Sequence, residues 1–148
     1  MVPSARQEFV RFSNAIHDAI KEEDPTAEVI ACATAHVDVD FIDKCKADGI
    51  RYDSFSVHPY RDFAEANGLV ADLSAVTNRS AGARTWVTEI GWSTSSSLLG
   101  CAATEREQAS RLARAYMVAA GSGCVNAVFG YCFVDNGFNR AGIQENHE

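Results

Sequence analysis

Apolar residues along the chain switch between two spacings. Between Ser4 and Glu22, Phe9, Phe12, Ile16, Ala19 and Ile20 recur three and four apart, the stripe of an amphipathic helix. Ser4 stands where a hydroxyl caps its start. Asp24-Pro25 stops it, because proline pushes the residue before it out of the α region. Glu28 to Ala33 is a short, nearly continuous apolar run, which predicts a strand buried on both faces. Val39 to Ala47 reads as a short helix ended by Asp48-Gly49, and Tyr52 to Val57 as a second strand. Leu69, Leu73 and Val76 mark a helix over Leu69 to Asn78, followed by a loop of small residues through Gly82. Arg84 to Thr88 is a third strand. Thr104-Glu105-Arg106-Glu107 is a capping box, in which hydroxyl and carboxylate satisfy free backbone amides reciprocally. The helix it opens carries Leu112, Tyr116 and Met117 on one face and ends at Gly121-Ser122-Gly123. Val125 to Tyr131 is a fourth strand.

The predicted order is therefore α-β repeated four times, which is an α/β fold with right-handed crossovers and a parallel sheet. Four such strands make either a small open sheet or half of an eight-stranded barrel. The pace is about 35 residues per unit, and a complete barrel takes about 250 residues, so the chain supplies a little over half of one.

Composition narrows the function. The chain has 148 residues, 47% hydrophobic, with a net charge of −7. Lys and Arg are scattered, so no basic face exists for a nucleic-acid backbone. No apolar run approaches the roughly 20 residues of a membrane span, so no membrane partner is expected. The first residues lack an apolar secretory core, so no export signal is read in this chain and its location stays open. The five cysteines form no Cys-x-x-Cys pair and read as reduced apolar fillers. Cys101 and Cys124 flank the fourth helix at opposite ends and are not expected to pair. His36, Asp38 and Asp40 alternate at a strand end without a second cluster to complete a metal set. Asp38 reads instead as a helix cap and His36 as a substrate-lining residue. No Gly-rich phosphate loop is present, and no cofactor or metal is implied.

In parallel α/β folds the reactive groups sit at the carboxyl ends of strands. Those ends here read Thr34-Ala35-His36, His58-Pro59-Tyr60-Arg61, Glu89-Ile90-Gly91-Trp92, and Tyr131 with Asp135-Asn136-Gly137. Polar and aromatic groups thus gather at matching positions of four units. Glu89 places an ionisable group where the third strand leaves the core.

The segment Trp86-Val87-Thr88-Glu89-Ile90-Gly91-Trp92 resembles the seventh-strand nucleophile segment of clan A glycoside hydrolases, barrel enzymes that include family 5 cellulases and the β-xylosidase-like families. Ser56-Val57-His58-Pro59-Tyr60 is similar to their sixth-strand His-x-Tyr segment. The resemblance covers nearly the whole chain and implies a partial (β/α)8 TIM barrel, from the fourth helix to the eighth strand, over residues 1–148. Strands one to four and the last helix would be absent. It implies a fragment of a retaining O-glycosidase acting on a β-linked glucan or related polysaccharide. Such sites use two carboxyl groups about 5–5.5 Å apart. Glu89 matches the nucleophile, and Tyr60 the residue that orients it. His58, His36, Trp92 and Tyr131 are expected to bind substrate, the last two by stacking on sugar faces. The family's Asn-Glu acid/base pair has no counterpart in this chain. Gly130 replaces a tryptophan platform, which implies a subsite that is open or built differently. The other reading is a non-catalytic carbohydrate-binding or structural remnant. In either case the strands at the open barrel edges are expected to promote self-association.

Overall fold

The computed structural model describes residues 4–61, 68–94 and 104–132. Three of the four helices begin at a side-chain cap. In α1 (Ala5–Glu23) the Ser4 hydroxyl accepts from the Gln7 amide, and the Gln7 side chain accepts from the Ser4 amide. Asp38 caps α2 (Val39–Ala47) by accepting from the Phe41 amide at 2.9 Å. After α2 the chain turns at Gly49, whose φ of +84° lies in the left-handed region that glycine tolerates. Leu69–Thr77 forms α3, and Thr104 with Glu107 makes the reciprocal cap of α4 (Glu105–Gly121).

Between the helices run β1 (Ile30–Thr34), β2 (Ser54–Val57), β3 (Thr85–Ile90) and β4 (Val125–Gly130). They form one four-stranded sheet in the order β1-β2-β3-β4, with every pair parallel. The fold is α/β, parallel strands alternating with helices, in the manner of part of a (β/α)8 barrel. One face of the sheet is packed by helices: Phe55, Val57, Val87 and Ile90 lie fully buried with Leu69, Leu73 and Val76 of α3 and Ile42 of α2. Burying side chains of this size contributes about 1.5–3 kcal/mol each. On the other face Trp86 and Phe129 stack at 6.2 Å, and Glu28 accepts from the Ser54 hydroxyl and the Trp86 indole.

Two expectations about packing fail for one reason. β1 is not buried on both faces; only Cys32 is buried, and Ala33 is exposed. The apolar stripe of α1 is largely uncovered as well, with Phe12 68% exposed and Ile16 43%. β1 is an outer strand, and nothing among the described residues lies beyond it to cover that stripe. A cavity of about 510 Å³ between α1 and β1 is lined by Phe9, Ile16, Ile30 and Phe41. Helix α1 is held mainly by polar contacts: Asn14 donates to the Gly49 carbonyl and accepts from the Arg51 amide, and Arg6 pairs with Asp48 at 2.6 Å.

Cys32 and Cys45 are core residues, and burial pushes the Cys32 thiol up to about 12. Cys32, Cys45 and Cys124 are free thiols, whereas Cys101 lies outside the described residues. Among the described residues no helix is long and apolar enough to cross a membrane, and no group of His, Cys, Asp and Glu is placed to hold a metal ion.

Leu73, fully buried, and Phe12, mostly exposed, separate the two faces experimentally. Leu73→Ala should lower unfolding stability by about 2–5 kcal/mol, and Phe12→Ala should change it by no more than about 0.5 kcal/mol. Denaturant titration of the two variants reads this directly; equal losses would contradict the arrangement.

Candidate active site

The carboxyl ends of β2 and β3 meet because the two strands pair in parallel, Ser56 opposite Trp86 and Val57 opposite Val87. Beyond Val57 the alternation of β2 continues through His58, Pro59 and Tyr60. Pro59 turns into the core, and His58 and Tyr60 turn to the open face.

On β3 a bulge changes which residues face the cleft. Val87 pairs with Val128 and Ile90 with Gly130, so three steps on β3 answer two on β4. Strict alternation from buried Val87 would send Glu89 under the helices. The extra residue lets both Thr88 and Glu89 emerge half-buried before Ile90 returns to the core. The predicted strand ends at Thr88; the observed one runs to Ile90, and Glu89 sits on its bulge.

Two side chains converge on Glu89 and its neighbour Thr88. The Tyr60 hydroxyl donates to Glu89 Oε2 at 2.7 Å. His58 Nδ1 lies 3.5 Å from the same oxygen, and His58 Nε2 lies 3.0 Å from Thr88 Oγ1. The His58 and Tyr60 rings meet edge to face, 6.3 Å apart. Burial, with the hydrogen bond to Glu89 adding to it, raises the Tyr60 phenol above its ordinary value, so it stays a donor. A phenol that donates to a carboxylate stabilises the ionised form, and it leaves the second oxygen, Oε1, for other work.

The surrounding residues fall into place differently. Tyr131 is 37% exposed, and its amide donates to the Ile90 carbonyl at 2.9 Å, which sets it beside the bulge. Gly91 makes this approach possible: a β-carbon there would stand 2.0 Å from the Tyr131 carbonyl oxygen. Trp92 departs from the expectation of a sugar platform. It is 6% exposed, its indole donates to the Arg61 carbonyl at 2.8 Å, and its own carbonyl accepts from Gln108. A ring enclosed to this degree has no face free for a sugar. A β-carbon on Gly130 would point at Tyr116 and Leu112 of α4. His36 is exposed on the turn after β1, where its carbonyl accepts from the Asp38 amide and the Thr34 hydroxyl. Asp135, Asn136 and Gly137 lie outside the described residues.

Thr88 and Arg61 were not singled out in the sequence. Arg61 pairs with Asp72 at 3.0 Å and donates to the Pro59 carbonyl, so it ties the turn after β2 to the start of α3. Only the bulge on β3 brings Thr88 to the cluster. Among the described residues no second carboxylate bonds into this cluster.

The model of one protein family, the glycosyl hydrolase catalytic core, matches residues 25–140. No curated protein and no solved structure matches the chain.

The raised Tyr60 phenol is open to measurement. In an alkaline spectrophotometric titration of the four tyrosines, one should ionise well after the ordinary value of about 10. Tyr60→Phe should abolish the late step, and Glu89→Gln should move it down by removing the charge. A late step that survives Tyr60→Phe would contradict the assignment.

Proposed function

The chain belongs to the glycosyl hydrolase catalytic core family, and from that premise we propose that it carries the nucleophile half of a retaining O-glycosidase site. The observation that carries this reading is the 2.7 Å bond from Tyr60 to Glu89 Oε2. Glu89 then attacks through Oε1: a bond forms from that oxygen to the anomeric carbon as the bond to the leaving oxygen breaks. The leaving oxygen takes its proton from a carboxylic acid that this chain's cluster does not supply. Water then attacks the anomeric carbon as the bond to Oε1 breaks, and its proton returns to the carboxylate that served as the acid. Tyr60 holds Oε2 throughout, with His58 Nδ1 3.5 Å away, so the carboxylate does not turn between the two displacements. Tyr131, half-open beside the site, offers a ring face to the sugar, and His36 and His58 line it. The substrate class proposed is a β-linked glucan or related polysaccharide, and the segment proposed is the fourth helix to the eighth strand of a barrel.

A second reading, a carbohydrate-binding or structural piece without turnover, draws on the absence of a second carboxylate from the described cluster. In a completed barrel Glu89→Gln should lower turnover of aryl β-glycosides and β-glucans by at least about 10³-fold. Azide should rescue Glu89→Gly and yield a glycosyl azide of inverted anomeric configuration. Activity of Glu89→Gln close to wild type would favour the second reading.

The chain alone should be inactive on those substrates, because general acid catalysis typically contributes about 10²–10⁴-fold and the described residues place no donor beside Glu89. The outer strands β1 and β4, with Phe12, Met117 and Phe129 exposed nearby, should also make it associate. Light scattering should give a mass above the 16.0 kDa of one chain. A dilute monomer that hydrolyses β-glucans would overturn both expectations.

A further inference from the structure

The bulge on β3 brings two consecutive residues to opposite sides of one imidazole. Thr88 Oγ1 lies 3.0 Å from Nε2 of His58, and Glu89 Oε2 lies 3.5 Å from Nδ1. Successive residues of a regular strand point to opposite faces and cannot do this.

The chemistry of the three groups gives the array a direction. An ionised carboxylate only accepts, a hydroxyl both donates and accepts, and a neutral imidazole carries one N–H. If that N–H sat on Nε2 and pointed at Thr88, the Nδ1 lone pair would face the Glu89 carboxylate. If it sits on Nδ1, it points at Oε2, and the Thr88 hydroxyl turns to donate to Nε2. Every proton then runs toward the carboxylate, alongside the one from Tyr60. That arrangement needs only the one N–H of the neutral ring.

We infer that Thr88 is a positioning residue, whose hydroxyl holds His58 with its single N–H on Nδ1 and aimed at Glu89. The inference rests on the reading of Glu89 as nucleophile for its importance, although not for its geometry. His58 is mostly enclosed, with 16% of its side chain exposed, so water is a poor substitute for the Thr88 hydroxyl. Without that anchor the ring turns away from Glu89, and the N–H redistributes to Nε2.

The test is a long-range ¹H–¹⁵N correlation spectrum of the full chain at a pH where imidazole is neutral, with the His58 signals identified by their loss in His58→Gln. In the wild type, Nδ1 should be the protonated nitrogen. Thr88→Val, which keeps the shape and removes the hydroxyl, should shift the tautomer ratio toward Nε2–H by about five- to tenfold, the factor that one ordinary hydrogen bond supplies. Thr88→Ser should restore the wild-type pattern. Three results would overturn the inference: an Nε2–H signal in the wild type, an unchanged ratio in Thr88→Val, or a shift that Thr88→Ser shares in full. In a completed barrel Thr88→Val should lower kcat about tenfold with KM little changed. The spectrum does not depend on turnover. An active Glu89→Gln enzyme would therefore sink the nucleophile reading and leave the tautomer result standing.

Discussion

The candidate site depends on a single irregularity in β-sheet pairing. The extra residue between Val87 and Ile90 lets β3 present Thr88 and Glu89 together, while Val87 and Ile90 on either side stay buried under the helices. Those two buried anchors make the bulge stable, since a slip of one residue would exchange an apolar side chain for a carboxylate in the core. The parallel pairing of β2 with β3 supplies the rest, bringing His58 and Tyr60 alongside. Gly91 then lets the end of β4 come close enough to place Tyr131 at the rim.

Packing is asymmetric around this centre. The helix-covered face of β2 and β3 is a closed apolar core, and it gives the site a rigid floor. The opposite face and the β1 edge are open, and the apolar stripe of α1 faces that opening with only Val10 buried. A helix with such a stripe owes its amphipathic pattern to something that covers it. Polar ties from Asn14 and Arg6 to the turn after α2 hold it in place meanwhile. The candidate site thus stands at the end of the buried core of β2 and β3.

Most of the fold was legible in the sequence because its boundaries are set locally. Ser4, Asp24, Asp38, Gly49 and Thr104 cap or stop helices through groups a few residues away, and the structure keeps each of them in that role. The gathering of His58, Tyr60 and Glu89 was legible from the rule that strand ends carry reactive groups, together with the motif resemblance. What was not legible depends on partners distant in sequence. The bulge is a relation between β3 and β4. The enclosure of Trp92 depends on the Arg61 carbonyl and Gln108, and the place of Gly130 on α4. The anchoring of Glu28 depends on Ser54 and Trp86, which lie 26 and 58 residues away. Burial of β1 was misjudged for the same reason, because an apolar run does not reveal whether its strand ends up central or at an edge.

The central claim is that Glu89, held at Oε2 and open at Oε1, is the atom pair on which glycosyl transfer turns. Covalent trapping tests it most directly. A 2-deoxy-2-fluoro-β-glycosyl fluoride slows release of the glycosyl-enzyme, and its fluoride leaves without needing a proton, so labelling does not depend on a general acid. A completed barrel carrying these residues, incubated with that reagent, digested and mapped by mass spectrometry, should show one fluoroglycosyl group on the peptide containing Glu89 and on the Glu89 carboxylate itself. A label on any other side chain, or an inactivated enzyme whose Glu89 peptide is unmodified, would contradict the account.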